Sequence, residues 1–165
     1  MYYDFIQSPL GDILVAGDGK DLHHLNFPTA KDFYEPKDGW VKKPDEFNDV
    51  RHQLDEYFGG KRSTFDLNLS FHGTPFRQSV WRALCEIPYG TVITYGELAR
   101  RIGNPNAFRA VGLANGANRL PIIIPCHRVV AAGGQIGGFS GGLGVKNFLL
   151  ELEGVRDFQE QPNLL

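Results

Sequence analysis

Apolar and polar residues alternate in three short segments near the start of the chain, and such alternation is typical of half-buried β-strands. The segments cover residues 2–6, 12–16 and 22–27. Turn-forming glycines, a proline and aspartates separate them. The pattern predicts a small antiparallel sheet.

The apolar spacing then changes to the three- and four-residue period of an amphipathic helix. The residues with this spacing are Phe47, Val50, Leu54 and Tyr57. The helix is expected to end at Gly59. Alternation returns over residues 65–71, where we expect a further strand that closes an N-terminal unit.

A second helical pattern begins after Gly73. Thr74 is suited to cap this helix, and Pro75 is suited to its first position. Its apolar face carries Phe76, Val80, Leu84 and Ile87. Cys85 lies beside this stripe, and we interpret it as a small buried apolar residue with no chemical role.

Two shorter helices are expected next. Thr94 and Glu97 have the spacing of a capping box, which predicts a helix that runs to about Arg101. Residues 103–106 must break it, and a second helix is expected over residues 107–115. The pair is a helix-turn-helix candidate, although the same arrangement occurs in proteins that never contact DNA.

These elements predict an α+β fold with two domains, residues 1–72 and residues 73–165. The first domain has a small antiparallel sheet with a helix, and the second is mainly helical. Residues 1–72 hold 8 basic and 13 acidic residues, a net of −5, whereas residues 73–165 hold 9 and 6, a net of +3. A polyanion would therefore bind best to the second domain.

The composition is that of an ordinary soluble globular protein, with 42% apolar and 22% charged residues. No apolar run approaches the roughly 18 residues of a membrane span. The first residues lack the basic and apolar regions of a signal peptide. We expect a cytoplasmic protein with no membrane partner.

A glycine-rich segment over residues 133–144 lacks the Gly-Lys-Ser/Thr ending of a phosphate-binding P-loop, and we interpret it as a loop packed against a ligand or backbone. A last helix is expected over residues 146–153, ending at Gly154. The two cysteines, Cys85 and Cys126, match neither a disulfide framework nor a four-ligand metal site. Nothing in the sequence indicates a cofactor or a metal.

Residues 122–124 are expected to form a buried strand that leads into Pro125, Cys126, His127 and Arg128. A thiol reacts as its thiolate, which neighbouring cationic or proton-accepting groups favour. Cys126 is therefore a candidate nucleophile. The alternative, that Cys126 fills the core while its two neighbours face solvent, is equally compatible with this segment alone.

The surrounding motifs resemble those of the O6-alkylguanine-DNA alkyltransferases, and the resemblance covers nearly all of residues 73–154. Pro125-Cys126-His127-Arg128-Val129 is similar to the active-site signature of that family. In the family's order, the other motifs are Thr74-Pro75-Phe76, Val80-Trp81, Ile87-Pro88-Tyr89-Gly90, Tyr95-Gly96-Glu97-Leu98-Ala99, Arg109-Ala110-Val111-Gly112, Ala114-Asn115-Gly116, Ser140-Gly141-Gly142 and Leu152-Glu153-Gly154.

The resemblance implies a ribonuclease-H-like N-terminal domain and a winged helix-turn-helix-like motif in the C-terminal one. It also implies DNA repair by direct reversal, as a methyltransferase that moves the alkyl group of O6-alkylguanine onto its own cysteine in one irreversible turnover. Cys126 would be the acceptor, His127 would take its proton through a water, and Glu153 would orient the imidazole.

The resemblance also implies residues that bind the base. Tyr95 and Ser140 would donate hydrogen bonds to the guanine, and the main-chain carbonyl of Val129 would accept one from its exocyclic amine. Asn118 would hold the backbone around the active-site loop. Phe139 stands before Ser140 where a tyrosine is frequent in the family, so no hydroxyl contact is expected from that position.

The implied partner is double-stranded DNA that contains O6-alkylguanine, bound in the minor groove with the target base flipped out. Arg109 would fill the vacated space, and Ala110, Gly112 and Ala114 would let the second helix lie close to the groove. Arg128 is grouped with these DNA-binding residues. We expect a monomer, and cooperative binding along DNA stays an open alternative.

Residues 1–72 contain no cysteine, so the structural zinc that some members of the family bind is not expected here. Two other functions remain open on the residues alone. A Cys-His hydrolase would use the same nucleophile and base on an acyl substrate, and a transcription regulator would use only the helix pair. A non-catalytic relative of the family is not expected, because such relatives lack the cysteine that this chain has as Cys126.

Overall fold

The chain divides between Phe71 and His72 into two units. The computed structural model describes residues 1–31, 33–134, 137–139 and 142–155. The predicted α+β class is confirmed, with the sheet in the first unit and most helices in the second. No described helix is both long and apolar enough to cross a bilayer.

The N-terminal sheet contains β1 (Tyr2–Ser8), β2 (Gly11–Gly17), β3 (Leu22–Asn26) and β4 (Val41–Lys42), in the order β3-β2-β1-β4. The three predicted strands are confirmed and pair antiparallel, while the short β4, which the sequence did not predict, runs parallel to β1. Helix α1 (Asn48–Phe58) contributes Val50, Leu54 and Tyr57 to the core of this unit, as its spacing predicts.

The predicted strand over residues 65–71 is wrong, because only an isolated bridge between Leu69 and Leu22 forms there. The reason lies in the buried Gln53 of α1. Its side-chain amide accepts from the backbone N–H of Asp66 and donates to the carbonyl of the same residue. These backbone groups are therefore satisfied by a side chain and need no partner strand.

The C-terminal unit contains α2 (Pro75–Leu84), β5 (Ile93–Thr94), α3 (Tyr95–Arg101), α4 (Phe108–Gly116), β6 (Val129–Val130) and α5 (Leu143–Leu152). The Thr74 hydroxyl accepts from the N–H of Arg77, and the Thr94 hydroxyl accepts from the N–H of Glu97, so both predicted N-caps are confirmed. Helix α5 begins three residues earlier than predicted.

The expected strand over residues 122–124 is also wrong. Turns lead up to Cys126, a 3₁₀ turn covers Cys126–Arg128, and only Val129–Val130 is extended, paired in parallel with β5. Pro121 and Pro125 have no N–H to give a sheet. Ile122 has a φ of 73°, a conformation that no strand contains.

Candidate active site

Cys126 lies at the wall of a cavity in the C-terminal unit. Cys126 is 3% exposed and is the first residue of the 3₁₀ turn that leads into β6. The parallel pairing of β6 with β5 brings this turn close to Tyr95, the first residue of α3. The cavity has a volume of about 210 Å³ and is lined by Tyr95, Gly112, Asn115, Gly116, Cys126, Gly138 and Phe139.

The loop before Cys126 is held by Asn118. Its side-chain amide donates to the carbonyl of Ile124 at 2.8 Å, and its carbonyl oxygen accepts from the N–H of Leu120 at 3.0 Å. A β-branched residue with positive φ, such as Ile122, costs roughly 1–3 kcal/mol and needs support from its surroundings. The two hydrogen bonds of Asn118, to Leu120 and Ile124, supply that support.

His127 is fully buried and paired with a carboxylate. Its Nε2 donates to Glu153 Oε2 at 2.7 Å. Its Nδ1 is buried and meets no partner within the described part of the chain. Because the hydrogen bond to Glu153 fixes the proton on Nε2, Nδ1 is left with a lone pair that can accept a proton.

Arg128 does not face solvent, which corrects its grouping with the DNA-binding residues. The residue is 6% exposed, and its Nε and Nη2 donate to the two oxygens of Glu153 at 2.8 and 3.0 Å. Its Nη1 donates to the carbonyl of Ile87. The guanidinium is thus occupied inside the unit, where it holds Glu153 in place and is unavailable to a phosphate.

The protonation states follow from burial and charge. Burial raises the pKa of the Cys126 thiol to about 11. Burial also lowers the pKa of His127, although Glu153 acts in the opposite sense, so the imidazole is neutral near pH 7. Burial alone would raise the pKa of Glu153, but hydrogen bonds from His127 and Arg128 hold it well below its usual range. A neutral imidazole therefore lies next to a fixed carboxylate, and the residue before His127 carries a neutral thiol.

Lys146 is a site residue that the sequence analysis missed. It is fully buried on α5, and its Nζ donates to the carbonyls of Val129 at 2.7 Å and Gly138 at 3.1 Å. Burial lowers its pKa to about 8, while its positive charge lowers the pKa of Cys126. A signal was present, because Lys146 falls in the same helical stripe as Leu149 and Leu150.

Helix α4 presents one buried and one exposed face. Val111, Ala114 and Asn115 are buried, and the carbonyl of Ala114 accepts from the indole of Trp81 at 2.9 Å. Ala114 is therefore a packing residue, which corrects its expected place in the groove. The opposite face carries Arg109, Ala110, Gly112, Leu113 and Gly116, and Leu113 is 75% exposed.

Two base-binding predictions concern Val129 and Ser140. Val129 is buried, and its carbonyl already accepts from Lys146, which leaves one of its two lone pairs for another donor. Ser140 lies outside the described residues.

Within the described ranges, no three histidine, cysteine or acidic side chains cluster as metal ligands would.

The C-terminal unit thus combines the helix pair α3 and α4, an exposed Arg109 and a buried Cys126. Residues 75–155 match the family model described as 6-O-methylguanine DNA methyltransferase, DNA binding domain, and residues 1–71 match its ribonuclease-like domain. The chain therefore belongs to the 6-O-methylguanine DNA methyltransferase family.

Individual relatives agree with this assignment. A methylated-DNA--protein-cysteine methyltransferase of Methanosarcina acetivorans is 51% identical over 93% of this chain and 99% of its own length. The Mycobacterium tuberculosis protein of the same name is 46% identical, with 94% of each chain covered. A crystal structure of Mycobacterium tuberculosis OGT in complex with DNA superimposes with a TM-score of 0.88 and 43% identity, covering 95% of this chain and 97% of the other.

Proposed function

We propose that this protein repairs DNA by taking the alkyl group from O6 of an alkylated guanine and keeping it on Cys126. The observation that carries the proposal is the placement of Cys126 at a cavity next to the buried pair of His127 and Glu153. Relatives that this chain matches over nine-tenths of its length are methylated-DNA--protein-cysteine methyltransferases. Both the reaction and DNA binding belong to residues 73–165.

The first step is activation of the thiol. The Cys126 proton passes through a water to His127 Nδ1, and the imidazolium is stabilised by Glu153 Oε2 at 2.7 Å from Nε2. The thiolate then forms a bond to the alkyl carbon as the bond from that carbon to O6 breaks. The electron pair of the broken bond goes to the guanine, which takes up a proton.

Donors aimed at the purine lower the barrier, because the guanine gains electron density as it leaves. Burial raises the pKa of the Tyr95 hydroxyl, so the phenol keeps its proton and can donate at the cavity wall. Ser140 is the second proposed donor. The carbonyl of Val129 is a proposed acceptor for the exocyclic amine of the base.

A buried thiol reaches O6 only when the nucleotide is turned out of the duplex. We assign the exposed face of α4 to the minor groove, with Arg109 filling the space that the base leaves. Ala110, Gly112 and Leu113 would lie against the groove on the same face. One Cys126 and one extruded base complete the reaction, so a monomer suffices, and the steepness of the binding isotherm measures any cooperativity.

Incubation with duplex DNA that carries a labelled O6-methylguanine tests the proposal. The label is expected on Cys126 at one equivalent per protein, because a thioether has no leaving group that water displaces. Cys126→Ser should accept no label, while Cys85→Ser, which changes the other free cysteine, should accept one equivalent. Repeated turnover with excess substrate would contradict the proposal and favour a cysteine hydrolase. DNA binding without any transfer would instead favour a regulator.

A further inference from the structure

Asn115 is a buried polar residue to which the proposed reaction gives no role. It is 5% exposed on α4 and lines the cavity together with Tyr95 and Cys126. Its Oδ1 is buried and accepts no hydrogen bond from any described residue. A buried acceptor without a partner is destabilising, so its presence in a cavity wall indicates a ligand.

The orientation of the amide follows from its neighbours. Its Nδ2 lies 3.4 Å from the backbone carbonyl of Cys126, and a carbonyl can only accept a hydrogen bond. Tyr95 and Asn115 both line the cavity, and Asn115 partly offsets the increase that burial causes in the pKa of Tyr95. The amide nitrogen is thus engaged with protein groups, and Oδ1 is the atom left for a ligand.

The chemistry of the alkylated base restricts what can donate to Oδ1. Alkylation of O6 removes the proton from N1, while N3 and N7 are acceptors and N9 is bonded to the sugar. The 2-amino group therefore carries the only N–H bonds of the base. We propose that Asn115 Oδ1 accepts a hydrogen bond from the 2-amino group of O6-alkylguanine and thereby selects this base. The inference rests on the proposed function.

Bases without that amine should bind more weakly. O6-alkylhypoxanthine has the same ring system without the amine, and O4-alkylthymine has no N–H group at all. Either base leaves Oδ1 unpaired, which weakens binding by about 10- to 100-fold. The amine becomes a poorer donor as the guanine gains electron density, so the contact acts on binding more than on the maximal rate.

Single-turnover transfer from free nucleosides tests the inference, because a nucleoside needs no extrusion from a duplex. O6-methyl-2′-deoxyguanosine should half-saturate the wild-type protein at about 10- to 100-fold lower concentration than O6-methyl-2′-deoxyinosine. The limiting rates should be similar. In Asn115→Leu, which keeps the volume and removes one of the two proposed acceptors of the amine while the Val129 carbonyl stays, the ratio of half-saturating concentrations should fall about three- to tenfold.

Asn26→Leu is the matched control. Asn26 also has a buried Oδ1 without a described partner, but it lies in β3 of the N-terminal unit. The control should keep the wild-type ratio. The wild-type comparison of the two nucleosides decides the matter even if Asn115→Leu does not fold.

Equal half-saturation of the wild-type protein by both nucleosides would overturn the inference. So would an Asn115→Leu protein that keeps the wild-type ratio while both limiting rates fall, because that result assigns Asn115 a structural role. Failure of the proposed function would look different, since neither nucleoside would then transfer its methyl group to wild-type Cys126.

Discussion

The two units of the chain differ in how they bury and pair their charged side chains. In the C-terminal unit, hydrogen bonds join the buried side chains of His127, Arg128 and Glu153, and Lys146 is buried as well. In the N-terminal unit, the buried carboxylate of Asp4 pairs with Arg51, whose side chain is one-third exposed. The first arrangement is a connected network, and the second is one pair that shares its charge with solvent.

This difference indicates which unit holds the functional side chains. Taking ions out of water is unfavourable, and a buried network gains little net stability over apolar packing of similar volume. A role in the reaction therefore accounts for this network better than a contribution to the stability of the fold does. Changes in the C-terminal network should affect alkyl transfer, whereas matched changes in the N-terminal unit should affect only stability.

The largest effect is expected from His127→Ala. Loss of a general base slows a reaction by about 100- to 10,000-fold, so transfer to Cys126 should fall by that factor. The change should also alter the pH profile. Because burial raises the pKa of Cys126 to about 11, transfer without the base should rise about tenfold per pH unit towards that value.

Single-turnover rates with a free nucleoside between pH 6 and 10 measure this profile. Wild-type transfer should be nearly level around pH 7 to 8, since His127 is already neutral there. His24→Ala is the matched N-terminal change, because His24 is also buried and bonds to the Tyr34 hydroxyl at 2.6 Å. A His24→Ala protein as slow as His127→Ala would remove the contrast between the units.

The second effect is on stability. Glu153→Ala leaves Arg128 buried without its partner, and breaking a buried pair in this way costs about 3–5 kcal/mol of unfolding free energy. Asp4→Ala, whose partner Arg51 can turn towards solvent, should cost about 1 kcal/mol. Urea unfolding of both variants gives the comparison, and equal losses would contradict it.

The same carboxylate predicts a pH dependence. The pKa of Glu153 is lower in the folded chain than its usual value of 4.5, so its stabilising contribution is present above that value and is lost as the pH falls below it. The free energy of unfolding of Glu153→Ala should therefore fall less between pH 5 and 3 than that of the wild-type protein.

A third effect should separate base extrusion from chemistry. Arg109→Ala removes the side chain proposed to support the extruded nucleotide, an extrusion that costs a few kcal/mol. Transfer from duplex DNA should slow by about 10- to 100-fold, while transfer from a free nucleoside should be nearly unchanged. An equal loss on both substrates would mean that Arg109 supports the cavity itself.

A smaller effect compares two exposed apolar residues. Leu113 is 75% exposed on α4, and Val41 is 55% exposed on β4. If α4 lies in the minor groove, Leu113→Ala should weaken duplex binding by about three- to tenfold with an unchanged salt dependence, because no phosphate contact is lost. Val41→Ala should bind like the wild-type protein in a fluorescence anisotropy titration. Equal weakening of both variants would exclude the assignment of α4.

The smallest effect is expected from metal removal. His23 bonds to Asp18 at 3.0 Å and His24 bonds to Tyr34, so these two histidines have protein partners. A chelator should leave both the unfolding temperature and transfer unchanged. Stoichiometric zinc that is lost together with activity would contradict this expectation.

The sequence predicted the elements whose signals are local. Alternation located β1 to β3, and Thr74 and Thr94 marked two helix starts, because caps and periodicity depend on residues only a few positions apart. The order of the motifs along residues 73–154 led to the proposal of Cys126 and its neighbours as the site. The signals for the strands and helix starts need no knowledge of the rest of the chain.

Contacts between residues far apart in the sequence became visible only in the tertiary structure. From the sequence, Arg128 was grouped with surface residues that bind DNA, but its side chain pairs with Glu153, 25 positions away. Lys146 was not singled out, but its Nζ donates to the carbonyl of Val129. Gln53 satisfied the backbone of Asp66 and prevented a strand. Burial and hydrogen-bond partners depend on which segments pack together, and the spacing of residues within one segment does not contain that information.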